Sequence, residues 1–197
     1  MAATVTTYRV PVDGAAEHAP GRWGMALLIV TEASLFAYLL FSYFYLGSIS
    51  RAPWPLAAPS LRLALPNTII LLVSSATMWW SDRAIRQGRA GRLRAGLLIT
   101  LVLGIIFLFV QSLEYRAKQF TPTTDAYGSL FFTITGFHGA HVAVGLLMIL
   151  VVLLRAWLGH FDAEHRLAVT NTAMYWHFVD VVWLAVFTSL YLTPRLR

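Results

Sequence analysis

The chain has 197 residues, of which 58% are hydrophobic and 12% charged, a balance too apolar for a water-soluble domain of this length and characteristic of an integral membrane protein. It has no cysteine, which excludes disulfides and thiolate metal sites and leaves His, Asp, Glu or Met as the available metal ligands. The formal charge of +6 comes from arginines scattered between apolar runs, a pattern that marks membrane topology and argues against nucleic acid as a partner.

Residues 1–22 carry Arg9, Asp13, Glu17, His18 and Arg22 without the continuous apolar core of a cleavable signal, and are expected to form an N-terminal cytoplasmic tail. Residues 23–197 hold five apolar stretches near 23–47, 64–81, 95–114, 128–154 and 169–192. Each has about the 20 residues a helix needs to cross the hydrocarbon, so the expected fold is all-α: an integral membrane bundle of five transmembrane helices. Four prolines in "SRAPWPLAAPSLRLALPN" make the first connection a turn region. The second connection, "SDRAIRQGRAGRLRAG", holds Arg83, Arg86, Arg89, Arg92 and Arg94. Arginine-rich loops stay in the cytoplasm, which places the N-terminus inside and the C-terminus outside. Trp79 and Trp80, at the inner end of the second span, suit the interfacial aromatic belt.

Five ionisable side chains fall near mid-membrane: Glu32 in the first span, His138 and His141 in the fourth, His177 and Asp180 in the fifth. Such groups are costly in lipid unless they face protein, water or one another. His138, His141, His177 and Asp180 are therefore read as an interhelical polar network, with Asp180 an acceptor for an imidazole. Glu32 is either a hydrogen-bonded acid of the bundle or a proton-exchanging carboxylate near a pathway. Gly136, Gly139, Ala140 and Ala143 form a small-residue face opposite the histidines, so the fourth helix is expected to be contacted on both sides. Gln111, Glu114 and Tyr115 form a polar cluster at the outer end of the third span, read as a surface patch or subunit contact. Arg155 and His160 follow the fourth span, where cations meet lipid phosphates. The rival reading, a b-type cytochrome or metal-dependent membrane enzyme, would use His138, His141 and His177 as ligands.

"LLIVTEASLFAYLLFSYFY", "FVQSLEYRAKQF", "DAYGSLFF", "TGFHGAHVAVG" and "YWHFVDVVWL" occur in this order, and together they resemble subunit III of the haem–copper terminal oxidases, the cytochrome c and quinol oxidase family. The resemblance runs from Trp23 to Thr193. It implies an accessory subunit with no catalytic residue, metal or other cofactor of its own, beside the oxidase catalytic subunit I and subunit II, where haem and copper reside. That complex reduces oxygen to water and pumps protons. The resemblance further implies that Glu32 is the family's buried helix carboxylate near a proton pathway, and that Arg155 and His160 lie near headgroups of structural phospholipid. The chain has no counterpart of the first two helices of the seven-helix members, so it resembles the shorter, five-helix bacterial form of the cytoplasmic membrane. The electron donor is not implied, since donor sites lie on other chains.

Overall fold

The computed structural model describes residues 20–50, 54 and 59–196; most of the expected N-terminal tail lies outside the described residues. Five long helices account for the spans: α1 (Pro20–Ile49), α2 (Leu61–Arg86), α3 (Ala90–Arg116), α4 (Ala126–Trp157) and α5 (Leu167–Phe187). A π-helical turn, Thr188–Leu192, and a short α6, Thr193–Leu196, follow without a break. Every one of the five is long and apolar enough to cross a bilayer.

Helices α1 to α4 run past the apolar stretches at both ends, while α5 starts before its stretch and the π-helical turn completes it. The clearest case is the connection of α2 to α3. Gly88, at φ +67°, closes α2 with a Schellman turn in which its own N–H reaches the Ile85 carbonyl at 2.9 Å and that of Arg89 reaches Ala84 at 2.9 Å. Gly159, at φ +77°, does the same for α4, where the His160 N–H meets the Arg155 carbonyl at 3.1 Å. Ser60 caps the start of α2, and Asp125 caps α4 by accepting from the Gly128 N–H at 2.6 Å.

Helices α2, α3, α4 and α5 form a closed ring, each packed on its neighbour in the sequence and α5 returning to α2. Trp176 of α5 fills the centre of that ring and is fully buried. Its ring lies so close to Gly104 of α3 and Gly145 of α4 that a Cβ on either glycine would stand 2.8 Å from it. Its indole N–H donates to Ser74 of α2 at 3.1 Å. One side chain thus touches the other three helices of the ring.

Helix α1 lies outside the ring, along the seam of α4 and α5. It fully buries only Phe36 and Tyr43, packs Met25, Leu39 and Leu40 partly against the core, and turns Leu27, Val30, Tyr38 and Phe41 outward. The expected contact on both sides of α4 is not made by the described residues. Gly136, Ala140 and Ala143 are exposed, and nothing lies within 4 Å of a Cβ built on Gly136. The ring closes on the histidine side of α4 and leaves the small-residue face open.

Candidate functional site

Glu32 meets His141 across the seam between α1 and α4. Its Oε2 lies 3.0 Å from His141 Nε2, with the carboxyl side chain 30% and the imidazole 14% exposed. One turn along α1, Phe36 sets its ring edge-on to His141 at 5.0 Å and to His138 at 6.5 Å. The other ring nitrogen of His141, Nδ1, is 2.7 Å from the Phe137 carbonyl of its own helix. A carbonyl only accepts, so Nδ1 carries a proton. A second proton then lies between Glu32 and Nε2, as a carboxyl donating to neutral imidazole or an imidazolium donating to carboxylate. Both arrangements are neutral overall and differ only in the position of that proton.

The remaining members of the expected network do not join this pair. His138 is buried against Trp183, ring centres 4.8 Å apart, with Phe107 edge-on at 5.8 Å, and neither of its nitrogens is hydrogen-bonded to a described residue. His177 turns to α2, where its Nδ1 shares a 2.8 Å hydrogen bond with the Ser75 hydroxyl. Asp180 lies 4.0 Å from the same nitrogen, too far for a hydrogen bond, and both its oxygens are buried without a partner among the described residues. The physical reason is angular: three residues along a helix rotate a side chain by roughly 60°, enough for His138 and His141 to meet different neighbours.

The contacts between α2 and α5 are made largely by hydroxyl and indole side chains, which join His177 and Asp82. Trp183 donates to Thr68 at 2.9 Å, Thr170 donates to Asp82 at 3.0 Å, and Trp176 and His177 take Ser74 and Ser75. The available signal was the hydroxyl-rich stretch "VSSAT" in an otherwise apolar span.

Gln111 and Glu114 are buried, which corrects the expected surface patch. Glu114 Oε1 accepts from Lys118 Nζ at 2.7 Å and from the Tyr191 hydroxyl at 2.8 Å. The ammonium also sits over the rings of Phe131 at 4.7 Å and Tyr191 at 5.2 Å. Tyr115 donates to Thr135 of α4 at 2.7 Å. Tyr191 belongs to the π-helical turn that continues α5, and its ring and hydroxyl help to enclose the carboxylate at the end of α3. At the opposite end of the bundle Arg155 and His160 are exposed, and the Arg155 guanidinium lies 5.5 Å from the Phe161 ring centre.

The cytochrome c oxidase subunit III family model matches residues 14–194. The chain is 40% identical over 176 residues to cytochrome c oxidase subunit 3 of Artemia franciscana, covering 86% of this chain and 68% of that protein. It is 38% identical over 179 residues to the subunit 3 proteins of Tachyglossus aculeatus aculeatus and Drosophila melanogaster, with the same coverage. The chain belongs to the cytochrome c oxidase subunit III family.

As a subunit III protein it is a multi-pass membrane protein and an accessory subunit of a terminal oxidase of the respiratory chain, acting in a complex with other oxidase subunits. The imidazoles of the rival cytochrome reading do not converge: His141 has both nitrogens engaged towards α1 and its own backbone, His138 is enclosed by aromatic rings, and His177 faces α2. No group of three or more His, Asp or Glu with metal-binding geometry occurs among the described residues.

Proposed function

We propose that this subunit III chain supports proton uptake by the oxidase catalytic subunit through the Glu32–His141 pair, while it carries no redox centre itself. The observation that carries this reading is the 3.0 Å contact between a part-exposed carboxyl on α1 and an imidazole whose second nitrogen is already protonated against Phe137. Such a pair holds one mobile proton at no net charge, and a proton that leaves it is matched by one that arrives, since release alone would leave a carboxylate in the membrane. Its place on the least enclosed helix lets a neighbouring subunit or water reach it.

Haem and copper belong, on this reading, to subunits I and II, with subunit III stabilising subunit I. The arginine-rich loop faces the bacterial cytoplasm, which sets the N-terminus inside and the C-terminus outside. Arg155 and His160, exposed at that same end, hold phospholipid phosphate. His138 is a packing residue between aromatic rings rather than a network member.

The test is replacement of Glu32 by Gln and, separately, by Ala in the assembled oxidase. Lower proton uptake and a shorter inactivation lifetime in both variants, with the haem spectra of the complex unchanged, are the expected results. Unchanged turnover, uptake and lifetime in both would leave Glu32 a structural role only.

A further inference from the structure

At the arginine-rich end, the start of α1, the end of α2 and the start of α5 surround a pocket of about 370 Å³. That size lies within the roughly 300–1,000 Å³ of small-molecule sites. Its cations are Arg22 from α1 and Arg83 and Arg86 from α2; its one acid is Asp82.

Asp82 is already neutralised. Arg86 grips its Oδ2 through Nε at 2.9 Å and Nη2 at 2.8 Å, and Thr170 donates to Oδ1 at 3.0 Å. Arg22 and Arg83 remain, neither in an ion pair with a described residue, so among the described residues the lining carries two positive charges without a paired acid. The Arg83 guanidinium lies over the Trp79 ring at 5.4 Å. The ring face attracts the cation without taking its N–H groups, and a guanidinium with N–H donors to spare suits a tetrahedral oxyanion. His177 also lines the pocket, and with Nδ1 taken by Ser75 its Nε2 is the nitrogen left to face a ligand. Trp79 and Met174 give the same pocket an apolar wall. Arg155 and His160 do not line it.

We propose that this pocket binds a phosphate-bearing anion, clamped between Arg22 and Arg83. An anionic phospholipid headgroup and free phosphate share that chemistry, and basic pockets between membrane helices are built for it. The apolar wall beside the cations favours the headgroup.

The test uses the assembled oxidase containing this chain. Native mass spectrometry would count lipid retained from nanodiscs of phosphatidylcholine mixed with phosphatidylglycerol, and the 31P line width of inorganic phosphate would be followed on the delipidated complex. The variants are Arg22→Gln with Arg83→Gln, and as an equal-charge control Arg89→Gln with Arg92→Gln, which do not line the pocket. Preferential retention of phosphatidylglycerol that falls about ten-fold in the first pair and holds in the control supports the proposal with a lipid occupant. Phosphate broadening with the same variant order, and no lipid preference, supports it with free phosphate. Equal losses in both pairs, or neither lipid preference nor broadening in the wild type, would overturn it. Should the first pair not assemble, Arg83→Gln alone is read against the same control.

Discussion

Glu32 and Glu114 are both glutamates on membrane-spanning helices, each held by a nitrogen of another side chain, yet they occupy opposite kinds of surroundings. Glu114 is closed in by Lys118, Tyr191 and Phe131, its side chain 5% exposed. Glu32 pairs with one imidazole and is 30% exposed. The difference follows from the helices that carry them. Helix α3 belongs to the closed ring, whereas α1 leans on it with two buried residues in thirty. A sealed acid serves structure, because protonating its carboxylate would leave a buried ammonium uncompensated. On the proposed function, the acid at the seam exchanges a proton.

Four expected outcomes test this contrast. The largest effect belongs to Glu114→Ala, which strands the Lys118 ammonium in a buried site and should destabilise the chain by about 3–5 kcal/mol in denaturant titration in mixed micelles. Glu114→Gln combined with Lys118→Met should recover most of that loss. A recovery of nothing would mean that the pair is not the source of the stability.

Next comes the ring that encloses the sealed acid. Gly145→Ala places a Cβ 2.8 Å from the rigid indole of Trp176 and should cost about 1–3 kcal/mol in the same titration. Gly136→Ala, on the open face of the same helix, should leave stability unchanged.

Glu32→Gln should be milder still, below about 1 kcal/mol, since the amide N–H can donate to His141 Nε2 in place of a carboxyl. A loss equal to that of Glu114→Ala would instead make the seam a structural contact of the same rank as the sealed cluster.

The smallest effect lies outside the spans, in the exposed turn between α4 and α5. Asp162 accepts from the backbone N–H groups of His165 at 2.6 Å and Glu164 at 2.8 Å. The His165 N–H bond first, then its imidazole and the Glu164 N–H, hold the Asp162 carboxyl down at about 2, and Asp162 in turn raises His165. The lowered acid supports the turn above its unfolded pKa of about 3.9 and loses that support as pH falls through about 2. The raised imidazole supports it below about 6.5 and loses that support as pH climbs through its folded value. Amide exchange at Glu164 and His165, corrected for intrinsic rates, should therefore be slowest between about pH 4 and 6.5. In Asp162→Asn this pH dependence should vanish.

The five spans were legible because lipid leaves a backbone almost no choice: about twenty apolar residues become a helix, and arginines and glycines mark where it stops. The residues of the candidate site were legible for a related reason, since an ionisable side chain inside such a run stands out as a cost needing a partner. Glu32, His141 and His177 were found in this way.

The partners were not legible. A helical period assigns each side chain an angle on its own helix and says nothing about which helix stands there. His138 and His141 share a face in the sequence but meet α5 and α1 respectively. Gln111 and Glu114 read as a surface patch because the residues that bury them, above all Tyr191, arrive from about 80 positions away. The open face of α4, the indole of Trp176 at the centre of the ring and the arginine pocket between α1, α2 and α5 were likewise decided only when the ring closed. Span and polarity are properties of a segment, which the sequence by itself determined; burial and partnership are properties of the packing between segments, and only the tertiary structure decided them.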